Sequence, residues 1–186
     1  MLRSSYLNKL DYSDIFKTIL FDKQCKTIVE IGILDGYSLE TIAHSCPTSQ
    51  IKAYDIFDEF NGNSADKEYL IEKFHHYDNI LINYGNFYKL HLTIDDNSLD
   101  LLHVDIANNG ETIQFIFDNY MQKMTINGII IIEGGSVERD NIEWMLKYDK
   151  QPIKPILDNY KTYYDIITIG EMPSITLIKH KSTNLT

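Results

Sequence analysis

Cysteine is scarce: Cys25 and Cys46 are the only two in 186 residues. With no C-x-x-C pair, the chain has neither a disulfide framework nor a cysteine-built zinc site, and both thiols read as reduced and structural. Long apolar runs are missing too. No stretch approaches the ~18 uninterrupted apolar residues of a membrane span, and the opening MLRSSYLNKLDYSDIF lacks the apolar core of a signal peptide. A cytoplasmic location and no membrane partner are therefore expected. Positive charge is also in short supply. The 17 Lys and Arg stand against 27 Asp and Glu, for a net charge of −10, and the basic residues are scattered rather than striped. Such a surface repels nucleic-acid phosphates, so no nucleic-acid partner is expected and small substrates are favoured.

What is present is a hydrophobic content of 44%, enough for a sizeable core. One domain over residues 1–186 is expected, with 1–25 as a helical cover and 26–180 as the core. The organising stretch is TIVEIGILDGYSLET, residues 27–41. Residues 27–31 are mostly β-branched and read as a buried strand that Gly32 ends. Leu39, Ile42, Ala43 and Cys46 then recur at helical spacing. Gly32 and Gly36 bracket the turn between, where backbone amides at a helix start can approach a ligand. The second close glycine of the dinucleotide G-x-G-x-x-G pattern is absent. A glycine-punctuated turn in an unrelated α/β protein is the alternative reading.

Residues 12–21 place Phe16, Ile19 and Leu20 on one helical face. A second strand, 51–54, delivers Asp55 at its carboxyl end, where a carboxylate can accept both ribose hydroxyls of a nucleoside. A polar loop follows around Asn61-Gly62-Asn63, then a helix over 65–77 that ends in His75 and His76, read as helix-terminal histidines rather than metal ligands. The third strand, 80–84, precedes Gly85-Asn86-Phe87. The fourth, 99–104, delivers Asp105, and alternation puts His103 on the same face. Ile113, Ile116, Phe117, Tyr120, Met121 and Met124 form the core stripe of one regular helix, closed by Asn127-Gly128. The run 129–132 reads as a strand buried on both faces, followed by Glu133-Gly134-Gly135-Ser136. Ile142, Met145 and Leu146 mark another helix, with Trp144 on a different face, and Pro152 and Pro155 break the pattern. Strands at 164–169 and 175–179 are joined tightly enough to pair antiparallel. The fold expected is α/β: a doubly wound, mostly parallel seven-stranded sheet with one antiparallel C-terminal strand.

The pattern E-x-G-x-x-x-G-x-S at 30–38 resembles motif I of the class I S-adenosylmethionine-dependent methyltransferases. The order of glycine turn, Asp55, Gly85-Asn86, His-Val-Asp105, isoleucine strand and hairpin is similar to that superfamily from residue 27 to about 179. Within it, 99–135 looks like the small-molecule O-methyltransferase branch, including macrocin-type enzymes that act on sugars of natural products. The resemblance implies S-adenosyl-L-methionine as cofactor, held by Glu30, Gly32, Gly36, Tyr37, Ser38, Asp55, Asn86, Phe87 and Asp105, with Asn86 and Phe87 passing the adenine. It implies a small-molecule acceptor, of the class of a sugar or natural-product hydroxyl, and a homodimer as a candidate assembly. No Asp/Asn-Pro-Pro-aromatic motif of base-methylating enzymes follows the fourth strand.

Methyl transfer requires a hydroxyl held near the sulfonium methyl and a base for its proton. Asp105, His103 and Glu133 are the candidates. Asp105 and Glu133 also stand where neighbouring strands end, so they could share Mg²⁺ with waters and an acceptor diol, or act as base and orienting group with no metal. Gly134 replaces the amide ligand of the metal-dependent catechol type, which weighs against Mg²⁺. Aminopropyl or aminocarboxypropyl transfer on the same cofactor fold, and a non-catalytic nucleoside-binding module, are the competing functions.

Overall fold

A computed structural model describes residues 12–21, 23–60 and 62–181. Short, largely apolar runs, most of them rich in β-branched residues, form seven strands: β1 (Thr27–Ile31), β2 (Gln50–Asp55), β3 (Ile80–Tyr84), β4 (Leu99–Val104), β5 (Met124–Glu133), β6 (Tyr164–Ile169) and β7 (Ile175–His180). They lie in one sheet in the order β3-β2-β1-β4-β5-β7-β6. The first five pair in parallel, and β7 runs antiparallel to both β5 and β6. A short β6–β7 connection permits only that reversal, whereas each parallel step needs a crossover. The expected architecture is the one observed.

Strand alternation divides the core between the two faces. On one face Ile28, Leu101, Ile129 and Ile131 meet Phe16 and Leu20 of α1 (Tyr12–Leu20), Leu39 and Ile42 of α2 (Tyr37–Ser45), and Leu70 and Phe74 of α3 (Lys67–Phe74). On the other, Val29, Leu102, Ile130 and Ile132 meet Phe87 of α4 (Phe87–Leu90), Ile113 and Phe117 of α5 (Gly110–Asn119), and Leu157 of α8 (Ile153–Tyr160). Two short helices, α6 (Val137–Asp140) and α7 (Glu143–Lys147), follow β5. Of the expected N-terminal cover, α1 is described; residues 1–11 and Asp22, like Asn61 of the polar loop, lie outside the described residues. Both cysteines are free and buried.

Two elements depart from the sequence pattern. The stripe ending at Met124 does not belong to one helix: α5 stops at Asn119, a 3₁₀ turn spans Met121–Lys123, and Met124 already begins β5. Asn127-Gly128 therefore lies inside the strand and caps no helix. Register jumps there, Leu99 pairing with Met124 and Leu101 with Ile129. A Cβ on Gly128 would stand 2.7 Å from the Leu99 carbonyl oxygen, so glycine admits this close crossing. Met121 and Met124 are buried all the same.

The second departure is α8, which forms where Pro152 and Pro155 read as breaks. Pro152 is its N-cap, and Pro155 is its third residue, where an N–H has no intrahelical acceptor to lose. Asp140 supplies the missing cap from outside, accepting from Ile153 N at 2.8 Å and Lys154 N at 2.9 Å. In α7, Met145 is buried while Leu146 is 65% exposed, because the helix has only five residues and a single inward position.

Candidate cofactor and active site

In an open α/β sheet ligands bind where the strand order reverses, at the carboxyl ends of the strands. Here that point lies between β1 and β4. The turn leaving β1 carries three left-handed residues, Gly32 (φ 90°), Leu34 (φ 48°) and Gly36 (φ 77°). A Cβ on Gly32 would sit 2.1 Å from the Asp105 carbonyl oxygen, so glycine lets the turn rest directly on the end of β4. Gly36 is constrained by packing: its Cβ would sit 2.5 Å from the Phe74 ring, so glycine lets the turn rest against α3.

Asp55 is 6% exposed and its oxygens are engaged by the chain itself. Oδ2 accepts from Ile33 N at 2.8 Å, and Oδ1 accepts from Phe57 N at 2.9 Å and Asn63 Nδ2 at 2.6 Å. The carboxylate thus ties the glycine turn to the loop after β2, where Phe57 is held at φ 50°. A bulky residue there is strained and persists only where its surroundings hold it. Asp55 braces two loops, a role its position at a strand end does not reveal.

Glu30 and His103 are register partners on β1 and β4, and both are buried. Glu30 Oε1 accepts from His103 Nδ1 at 2.9 Å and from the Ser38 hydroxyl, while Oε2 is buried without a partner among the described residues. Burial works against a charged imidazole, but the Glu30 hydrogen bond and charge, with Asp105, outweigh it and hold the His103 pKa above its ordinary value. The ring packs edge-on to Phe16, centroids 4.9 Å apart, and is 1% exposed. His103 therefore faces the core beneath the turn, not an open cleft. Tyr37 is partly exposed, with Lys73 Nζ 4.9 Å from its ring centre.

At the turn after β3, the Asn86 side chain caps α4 by accepting from Tyr88 N at 2.9 Å. Phe87 is 4% exposed and stacks on Tyr120 with ring centres 5.2 Å apart, so its face is taken by the core. The outward aromatic here is Tyr88, 49% exposed. Sequence reasoning missed it because two adjacent aromatics differ only in which way the helix turns them.

Asp105 and Glu133 follow the last ladder pair of β4 and β5, Val104 with Ile132. Asn108 ties the two strand ends together, its Nδ2 donating to the carbonyls of Val104 and Glu133, each at 3.0 Å. Burial raises the Asp105 pKa to about 6; Glu133 and Glu30 push the same way, and His103 and Arg139 pull against it. Glu133 is not free. Arg139 grips it bidentately, Nε to Oε1 at 2.6 Å and Nη2 to Oε2 at 2.8 Å. Arg139 is 4% exposed and its guanidinium carbon lies 5.3 Å from the Trp144 ring centre. This arginine escaped the sequence reading because a turn and the start of a short helix lie between it and Glu133, so no single periodicity relates the two; α6, capped by Ser136, turns it back over the strand end. Among the described residues no group of three or more His, Cys, Asp or Glu is placed to hold a metal ion.

A doubly wound sheet of this order, with β7 reversed between β5 and β6, has the class I S-adenosylmethionine-dependent methyltransferase fold. No family model and no curated protein matches the chain. Solved structures do. A candidate caffeoyl-CoA O-methyltransferase from Staphylococcus aureus is 15% identical with a TM-score of 0.68, over 91% of this chain and 82% of that one. The methyltransferase PaMTH1 of Podospora anserina, bound to S-adenosylhomocysteine (SAH), is 17% identical with a TM-score of 0.64, over 91% and 78%. A Corynebacterium glutamicum protein reaches a TM-score of 0.70 at 7% identity, over 94% and 82%. At these identities the likeness is one of fold. Among the described residues no helix is long and apolar enough to cross a membrane.

Proposed function

We propose that the chain is an S-adenosylmethionine-dependent methyltransferase that methylates a hydroxyl of a small molecule, such as a sugar or natural product. The observation that carries this reading is the switch point itself: a glycine turn laid on the Asp105 backbone, with Glu30 beneath it and Asp55 bracing it from β2. The fold shared with the SAH-bound Podospora enzyme supports it. In this reading the turn from Gly32 to Ser38 would hold the cofactor's amino-acid end, and Glu30 Oε2, without a partner among the described residues, could accept from its ammonium. Tyr37, Asn86 and Asp105 flank the nucleoside, while Phe87 contributes only the support beneath them.

S-adenosylmethionine supplies the activated methyl group, so the chain's own task is to hold the acceptor oxygen in line and receive its proton. Asp105 is the base of this proposal: it is half-buried at the strand end, and a pKa near 6 leaves it ionised yet more basic than an ordinary carboxylate at neutral pH. His103 serves as a positioning residue through Glu30, and Glu133 orients Arg139. The experiment is calorimetry with SAH followed by transfer assays with unlabelled S-adenosylmethionine and hydroxylated acceptors, products being weighed by mass spectrometry. Micromolar SAH binding and a 14 Da gain on the acceptor are expected. A gain matching an aminopropyl or aminocarboxypropyl group would replace the reading, and binding without any transfer would leave a nucleoside-binding module.

A further inference from the structure

Two carboxylates at the ends of adjacent strands form the start of a site for a hard divalent cation, which needs about six oxygens around it. Asp105 and Glu133 are so placed, yet both Glu133 oxygens are engaged by Arg139 Nε and Nη2. The third guanidinium nitrogen, Nη1, is buried and has no partner among the described residues. Buried donors are almost always satisfied, so an isolated one points to a ligand. The arginine's remaining face is toward Trp144, which is half-buried and offers an apolar ring beside the guanidinium.

We propose that Arg139 is the resident cation of this site: it stands where the β4 and β5 carboxylates would otherwise hold a divalent metal, and its Nη1 donates to an uncharged oxygen of the acceptor. The inference rests on the methyltransferase reading above. The acceptor oxygen is uncharged because Glu133 already neutralises the guanidinium, while Asp105 and Glu30 stand close by as further carboxylates. An acceptor carboxylate or phosphate would meet repulsion with no free positive charge to offset it. The substrate class is a neutral compound with neighbouring oxygens: one hydroxyl loses its proton to Asp105 as the methyl arrives, and the adjacent oxygen accepts from Nη1. A sugar diol has this arrangement, and Trp144 gives its C–H face an apolar floor.

The test uses Mn²⁺ as the metal probe and the emission of Trp144, the one tryptophan of the chain, as the ligand probe. In the presence of SAH, wild-type protein should take up no Mn²⁺ at 1 mM by electron paramagnetic resonance. Arg139→Ala, which leaves Glu133 unpaired at the strand end beside that of Asp105, should gain one bound Mn²⁺ that Arg139→Ala/Glu133→Gln loses. Arg139→Lys keeps the charge and should take up none, and it stands in should the alanine variant fail to fold. Methyl α-D-glucopyranoside should shift wild-type emission saturably, at least tenfold more weakly in Arg139→Lys, and should bind better than the corresponding glucuronoside. Wild-type Mn²⁺ uptake abolished by Glu133→Gln, a folded Arg139→Ala without uptake, no response to either glycoside, or tighter glucuronoside binding would each overturn the proposal. SAH affinity measured in the same samples keeps the two readings apart: its absence in wild type removes the methyltransferase reading, whereas its retention alongside wild-type Mn²⁺ uptake removes only this one.

Discussion

Asp55 accepts from Ile33 N, Phe57 N and Asn63 Nδ2, so a single carboxylate holds two turns in left-handed conformations that their side chains disfavour. Hydrogen bonds to a charged group are worth about 1.5–3 kcal/mol each, and three on one group do not add independently. Asp55→Ala should therefore lower the melting temperature and weaken SAH binding at least tenfold together, with Asp55→Asn recovering part of both. Weaker binding at unchanged melting temperature would instead make Asp55 a direct cofactor contact. For Asp105 the folded pKa of about 6 lies above the ordinary carboxylate value of 3.8. Its favourable contribution is therefore present at pH below 3.8 and is lost as pH rises through about 6, where a charge must be held at a half-buried strand end. Asp105→Asn should raise the melting temperature more at pH 8 than at pH 4, while transfer activity falls by about 10² or more at pH 8. Equal melting shifts at the two pH values would refute the assigned burial of that charge.

At the scale of elements, α8 depends on a residue outside itself. Its sequence begins with a proline N-cap and offers no side-chain acceptor for its first amides, and Asp140, 8% exposed, accepts two of them. The helix matters to the core, since Phe117 of α5 stacks on Tyr160 with ring centres 3.7 Å apart. Losing a cap costs about 0.5–2 kcal/mol. Asp140→Ala should sit at the upper end of that range in urea unfolding, and Asp140→Asn should cost less; a change below about 0.5 kcal/mol would show that the amides find other partners. The strands were legible because each is a short run of apolar, often β-branched, residues with a turn at its end. The β5 entry was not, because Met121 and Met124 stay inward whether the backbone is helical or extended, so the apolar pattern persists through the change.

For the whole molecule, the β6–β7 hairpin completes the sheet and also steadies the site. Ile175 and Ile178 are buried against β5, each worth about 1.5–3 kcal/mol of apolar burial. Thr176 Oγ1 donates to the Gly134 carbonyl at 2.7 Å, and Ser174 Oγ accepts from Ser136 N at 3.3 Å, so the loop that returns Arg139 to Glu133 leans on the hairpin. Deleting residues 162–186 should abolish the cooperative thermal transition and give a dye-binding, loosely packed state. A cooperative melt surviving the deletion would mean that the five parallel strands suffice.

The sequence by itself determined the alternation of strands and helices, the reversed hairpin, the glycine turn after β1 and the strand ends at which Asp55, Asp105 and Glu133 arrive. These are short-range properties: side-chain periodicity, β-branching and the backbone freedom of Gly32 act within a few residues of where they are read. Tertiary structure alone decided what the functional groups face. Asp55 turns to loop amides, Phe87 to Tyr120, His103 to Glu30 and Glu133 to Arg139, and Arg139 had no local mark at all. Each of those choices depends on loops bringing distant residues to one place, and a buried charge takes the partner that packing delivers to it.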